Sequence, residues 1–151
     1  MKNHIAAGAL MFALGVNGYA ADSGVNCAAN NCKKGDIVLV VSTDTEPAAA
    51  CPTKAVARYV SYVFAFASDT GKLEDQMDGI FAMTRDKLRS DAKVSSFREA
   101  ASSCWKFPSG SEVTILEVES DPDLIRVAPV DGSAPYWTIV YAVHLIRKPR
   151  Q

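Results

Sequence analysis

The residues with the most reactive side chains in this chain are four cysteines, Cys27, Cys32, Cys51 and Cys104. In an oxidising compartment an even number of cysteines favours disulfides. Of the three possible pairings we expect Cys27 with Cys32, which closes a short loop, and Cys51 with Cys104, which joins the ends of a long segment. Cys27 and Cys32 are too far apart for a Cys-x-x-Cys redox motif. All four are therefore predicted to be structural.

Metal binding and catalysis need other side chains, and the chain offers few of them. A zinc site needs histidines or more closely grouped thiolates, whereas His144 is the one histidine after residue 20. No Gly-x-Ser-x-Gly sequence marks a nucleophilic serine. Glu74 and Asp78 would share a helical face, as paired carboxylates, but acids at this spacing are usually solvated. We therefore predict no catalytic residue, no metal and no cofactor.

Aromatic residues are the better candidates for function. Tyr136, Trp137 and Tyr141 lie close together, and Trp105 directly follows Cys104. Rigid rings bind extended peptides at little cost in conformational entropy. Because side chains alternate along a strand, one of Tyr136 and Trp137 should face outward. Trp137 is the better core candidate, and Tyr136 is left open between surface and core.

These aromatics belong to a region of short strands. Apolar, β-branched runs of strand length are separated by turns rich in glycine, proline and aspartate, such as 108–110, 121–123 and 131–133. The predicted strands lie at 36–42, 113–118, 125–130, 136–140 and 143–146. The first of them contains five consecutive aliphatic residues, which predicts burial on both faces, or nearly so.

The order of these turns and strands resembles the C-terminal part of bacterial SH3-like domains. In such domains a glycine precedes the first long strand, and an aromatic strand follows a later glycine turn. Gly110, Gly132 and Trp137 occupy these places in the present chain. The resemblance spans roughly 109–146 and implies a small SH3-like β-barrel that binds ligands beside its loops.

A helical pattern separates the first strand from the rest. Residues 51–67 fit both helical spacing and alternation, and helix is favoured, with Pro52 in its first turn. Residues 72–89 predict an amphipathic helix. Its apolar face would comprise Met77, Ile80, Phe81, Thr84 and Leu88. Ser95 or Ser96 caps a third, short helix. The predicted fold is α+β or mainly β, a small SH3-like β-barrel with a helical insertion at about 51–104 between its first and second strands.

The N-terminus predicts export. Residues 1–20 combine Lys2, a short apolar core and a Gly-Tyr-Ala end, as a secretory signal does. Residues 21–34 would form a disulfide-bearing segment, and 35–148 a single domain. Removing residues 1–20 changes the formal net charge from −1 to −2, because only Lys2 is lost. This charge gives no reason to expect nucleic acid as a partner. We expect a periplasmic or secreted protein that is not embedded in a membrane.

Taken together, these features predict an exported, non-catalytic binding domain. The favoured partner is a cell-envelope protein or peptidoglycan, bound through the barrel. The alternative is a small inhibitor or immunity protein for an exported enzyme, with the helical insertion as its contact surface. A groove around Tyr136 and Tyr141 would favour the first function. Exposed apolar residues on the insertion would favour the second.

Overall fold

The computed structural model describes residue 27 and residues 31–42, 48–119, 124–139 and 142–147. The predicted signal peptide, the turn at 121–123, and Tyr141 lie outside the described residues. Within them the fold is α+β, in agreement with the coarse prediction.

Five strands form one antiparallel sheet. In chain order they are β1 (Ile37–Val40), β4 (Glu112–Val118), β5 (Leu124–Pro129), β6 (Tyr136–Ile139) and β7 (Val143–Arg147). Their order across the sheet is β6-β5-β4-β1-β7. Strand β1 therefore lies between β4 and β7, so the sheet joins a strand near the start of the described chain to the strand at its end.

Burial alternates along the central strands, as β-branched sequences with one core face require. In β4, Val113 and Ile115 are buried, and the residues between and after them are not. In β1, Val38 and Val40 are buried, while Ile37 and Leu39 are only half-buried. The prediction that β1 is buried on both faces, or nearly so, is thus only partly right, because one face is buried and the other is half-buried.

The sheet is not a closed barrel in the described part of the chain, and this corrects the expectation of closure. No hydrogen-bonded pair joins β6 to β7 among the described residues. Instead, the outer edge of β6 binds Cys51, whose N–H donates to the Trp137 carbonyl at 2.9 Å. The Trp137 N–H donates back to the Cys51 carbonyl at 2.8 Å. The insertion therefore occupies the edge at which a barrel would close.

A small ribbon and a disulfide close the base of the insertion. Strand β2 (Ala49–Ala50) pairs with β3 (Trp105–Lys106), and Ala50 lies opposite Trp105. The next residues towards the helices, Cys51 and Cys104, form a disulfide with a Cα–Cα distance of 4.3 Å. Cys27 and Cys32 form the second disulfide. These are the two pairs that the sequence predicts.

Three α-helices and one 3-10 turn make up the insertion. They are α1 (Lys54–Thr70), the 3-10 turn Glu74–Gln76, α2 (Gly79–Ala92) and α3 (Phe97–Ser103). The predicted preference for helix after Cys51 is correct, but Pro52 precedes α1, since Thr53 is the N-cap and accepts from the Val56 N–H at 3.2 Å. Ser96 caps α3 by accepting from the Glu99 N–H.

The helix predicted at 72–89 starts later and is oriented differently. It begins only at Gly79, and Ile80, predicted to be buried, is 73% exposed. The reason is that α2 packs on α1 through Phe81, whose ring centroid lies 5.3 Å from that of Phe66. Leu88 is half-buried on the same side as Phe81. This contact turns the stripe containing Ile80 and Met83 away from the core.

The sheet separates two apolar cores. One face packs a core that includes Val38, Ile115, Val127 and Tyr136. The other face, formed by Leu124 of β5 and Trp137 of β6, packs against α1 residues such as Val60. Because the insertion folds back over β6, both faces of β6 are buried. On this second face of β5 Leu124 is buried, whereas Arg126 is exposed.

Candidate ligand-binding groove

Two loops at one end of the sheet form a groove of about 500 Å³. Val113 of β4 lies opposite Pro129 of β5, so the loop before β4 and the loop after β5 are neighbours. Gly110 (φ +87°) and Gly132 (φ +82°) take left-handed turns in these loops. Glycine suits both positions because other residues rarely adopt such angles. The two turns that carry the SH3-like resemblance thus also shape the groove.

Three aromatic rings form one side of the groove. The ring centroids of Phe107 and Tyr136 lie 4.6 Å apart, and the rings are tilted by 33°. The Trp105 ring meets the Tyr136 ring edge-on, at 5.7 Å. Trp105 is 45% exposed, whereas Phe107 and Tyr136 are buried. Trp105 is therefore an accessible stacking surface that contacts the buried Tyr136 ring, which in turn packs on Phe107.

The remaining lining residues add apolar surface and negative charge. They are Pro108, Ser111, Glu112, Pro129, Val130, Asp131, Ser133 and Ala134. Val130 is 61% exposed. The Asp131 carboxylate accepts a hydrogen bond from the Ser133 N–H at 2.8 Å. The side-chain and backbone hydrogen bonds from Ser133 lower the pKa of Asp131 below its ordinary value, because they stabilise the ionised carboxylate.

Tyr136 lies in this groove, but as its floor. Its exposed fraction is 1%, and its hydroxyl has no hydrogen-bond partner in the described structure. Burial raises the pKa of this phenol, so that the ring stays neutral. The prediction left Tyr136 open between surface and core, and the structure places it in the core. It supports the groove but offers little surface of its own.

Trp137 points to the opposite face of the same strand. It is buried against α1, and the Lys54 ammonium lies 5.6 Å from its ring centroid. Lys54 also bonds Glu119 at 2.6 Å. The expectation that one of Tyr136 and Trp137 faces outward is wrong, because the insertion covers the second face. Trp105 and Tyr136 are thus brought together, Trp137 is elsewhere, and Tyr141 lies outside the described residues.

Three groove residues were not predicted from the sequence: Phe107, Pro129 and Val130. A signal for Phe107 was present, because it follows Trp105 at the alternate position and directly precedes the Pro108 turn. Pro129 and Val130 carry no comparable signal. They become groove residues only through the register of β4 with β5.

The insertion presents a second surface, where the chain passes from α1 through the 3-10 turn to α2. Leu73, Ile80 and Met83 are 68%, 73% and 72% exposed, more than any other large apolar side chain among the described residues. All three lie within the segment 69–83, which we call the insertion tip. Most monomers expose few contiguous apolar residues, so such a surface suggests a contact with another molecule.

Among the described residues, no helix is long and apolar enough to cross a membrane. In the same part of the chain, no three His, Cys, Asp or Glu side chains are grouped so that they could hold a metal ion.

Comparisons of the chain with protein-family models, with curated proteins and with solved structures give no match.

Proposed function

We propose that this protein is an exported, non-catalytic binding module that holds an extended segment of a cell-envelope protein in the groove beside Trp105. The observation that carries the proposal is the exposed Trp105 ring, which is fixed against Tyr136 and faces a groove with two prolines. Rigid rings and prolines give an extended chain a preformed apolar surface. Two disulfides support export, because they persist in oxidising compartments.

The SH3-like architecture is part of this proposal. Its support is the order of the five strands, in which β4, β5 and β6 follow one another and the first strand lies beside the last. The helical segment would then replace a loop between the first and second barrel strands. The groove lies beside the turns at Gly110 and Gly132, as expected for a ligand site beside barrel loops.

Charge favours a protein segment over peptidoglycan as the occupant. The exposed Asp131 lines the groove, and no lysine or arginine is among its lining residues. Peptidoglycan carries many carboxylates, which this negative rim would repel. A protein segment with a basic or neutral sequence meets no such repulsion.

The test is a pull-down with residues 21–151 against purified sacculi and against soluble envelope proteins. Trp105→Ala is the informative variant, because Trp105 is exposed and its loss leaves the core intact. Tyr136→Phe is the matched control, since it removes only a hydroxyl without a partner in the described structure. Tyr136→Ala is unsuitable because it would leave a cavity in the core and destabilise the protein.

We expect wild type and Tyr136→Phe to capture the same soluble protein, and Trp105→Ala to lose it. Calorimetry with that purified protein should then show an affinity at least about tenfold lower for Trp105→Ala. Trp105-dependent sedimentation with sacculi would instead identify peptidoglycan as the ligand. Capture that does not depend on Trp105 would reject the groove as the binding site.

A second candidate function is that of an inhibitor or immunity protein for an exported enzyme. The observation that favours it is the set of exposed apolar side chains at the insertion tip, which the groove hypothesis does not use. The same pull-down separates the two functions, because an inhibitor that acts through the tip would capture its target regardless of Trp105.

A further inference from the structure

We infer that the insertion tip, residues 69–83, docks into a basic, partly apolar cleft of an exported enzyme that degrades the anionic cell wall. The inference rests on the inhibitor function and is independent of the groove. It specifies which end of the insertion makes the contact and the chemistry of the partner.

The tip carries the three most exposed large apolar side chains of the described residues. Leu73 lies just before the 3-10 turn, and Ile80 and Met83 lie in the first two turns of α2, on the stripe that faces away from α1. Burying such side chains would stabilise a complex by removing apolar surface from water. Met83 is also flexible enough to adapt to the shape of a partner.

The tip carries a negative net charge. Residues 69–83 contain four carboxylates and one ammonium group, and the Arg85 guanidinium, which donates to the Glu74 carbonyl at 2.9 Å, brings the net charge from −3 to −2. Glu74 is engaged internally, because its carboxylate accepts from the Tyr59 hydroxyl. Asp69, Asp75 and Asp78 are exposed around the apolar residues. A partner with positive charge around an apolar recess would complement this arrangement.

The tip is the connection between α1 and α2, where Gly71 turns the chain in a left-handed conformation at the end of α1. Its most exposed apolar side chains lie on this connection and on the first two turns of α2. A second copy of the chain is disfavoured, since two acidic tips would repel each other. Enzymes that act on an anionic polymer carry the basic clefts that fit it.

The experiment measures binding and inhibition separately. The probes are purified exported muramidases and peptidoglycan amidases with a pI above about 9, and one acidic hydrolase serves as a control. Binding is measured by calorimetry, and inhibition by the hydrolysis of purified sacculi. The variants are Ile80→Ser/Met83→Ser for the apolar part and Asp75→Asn/Asp78→Asn for the charge.

These variants should fold. Ile80 and Met83 are mostly exposed, and Asp78 is an N-cap position whose side chain makes no capping bond, where asparagine serves equally well. Val118→Ser is the matched control, because Val118 is another exposed aliphatic residue but lies in β4, outside both the tip and the groove. Far-UV circular dichroism checks the fold of each variant.

We expect the wild type and Val118→Ser to inhibit at least one basic hydrolase and not the acidic one. The apolar double variant should bind about a hundredfold more weakly. The charge double variant should bind about tenfold more weakly at low salt and show a smaller dependence on salt.

The outcomes separate the inference from the function on which it rests. Inhibition that survives both double variants would overturn the tip as the contact surface while supporting the inhibitor function. Binding that depends on the tip without inhibition would support the surface and reject the inhibitor function. A tip-dependent dimer on size exclusion, or no binding to any hydrolase of the panel, would overturn the inference.

Discussion

Two neighbouring residues, Tyr136 and Trp137, show how strand alternation directs side chains to different environments. Tyr136 enters the core beneath the groove, and Trp137 enters the core beneath α1. The Trp137 ring is covered by Lys54, which Glu119 holds by an ion pair. A side chain that strand alternation points outward is thus covered by a helix and an ion pair from the insertion.

The Lys54–Glu119 pair makes a prediction about acid stability. The hydrogen bond from Lys54 lowers the pKa of Glu119 below its ordinary value of 4.5. The unfolded state therefore takes up the proton first, and the stabilisation present above pH 4.5 is lost as the pH falls through the folded pKa. We expect Glu119→Gln to reduce the loss of stability between pH 7 and pH 3. Urea unfolding at these two pH values measures the free energy of unfolding of both proteins. If the difference between the two pH values is the same in the variant and the wild type, the assignment is contradicted.

At the scale of elements, the ends of the helices are defined by local conformation. Gly71 ends α1 at φ +68°, with its N–H donating to the Ala67 carbonyl at 2.8 Å. Lys93 ends α2 at φ +55°, a left-handed angle that costs a residue with a Cβ more than it costs glycine. Both positions have the same conformation but different residue types.

This contrast predicts that substitutions at Gly71 and Lys93 change the free energy of unfolding in opposite directions. Gly71→Ala should lower the free energy of unfolding by about 1 kcal/mol, because alanine is strained at a positive φ. Lys93→Gly should raise it by about 0.5 kcal/mol, because the strain at Lys93 is relieved. Chemical denaturation of both variants tests the prediction. Changes of the same sign would show that another effect decides the stability at these sites.

The disulfides are also elements of architecture, and they close loops of very different length. Cys51 and Cys104 are 53 residues apart, and Cys27 and Cys32 only 5. From loop-closure entropy, the long loop should contribute about 4 kcal/mol and the short one about 2 kcal/mol. We therefore expect Cys51→Ala/Cys104→Ala to cost more stability than Cys27→Ala/Cys32→Ala. Equilibrium unfolding gives the ranking, and a reversed order would contradict the entropic account.

At the scale of the whole molecule, the two apolar cores share β5 and β6. Ile139 of β6 packs against both cores, and Leu124 and Ile125 of β5 enter one core each. The insertion is therefore joined to the sheet by packing as well as by its disulfide. Loss of either core would expose one face of the same strands.

This sharing predicts a single cooperative unfolding transition. Tryptophan fluorescence, which reports on Trp105 and Trp137, should change together with far-UV circular dichroism, which is dominated by the helices. The groove and the insertion should unfold together in urea. Two separate transitions would mean that the insertion is an independent unit, and its packing on β5 and β6 would then be weaker than the structure indicates.

The amino-acid sequence by itself determined the elements and the cysteine pairs. Short β-branched runs between glycine and proline turns gave the strands of the sheet. Helical spacing gave the insertion, and the serine cap of α3 followed from its sequence. The strands, the helices and the serine cap depend on interactions within a few residues, which can be derived from spacing and residue type. The Cys51–Cys104 pair joins residues 53 apart, and it was chosen from the three pairings that four cysteines allow.

Only the tertiary structure decided which surfaces are exposed. The insertion folds over β6 and buries Trp137, the contact between Phe66 and Phe81 turns Ile80 outward, and the register of β4 with β5 brings Val130 beside Trp105. Each of these facts depends on contacts between residues far apart in the chain. Periodicity identifies the apolar residues of an element, but the packing of neighbouring elements decides which of them the core covers.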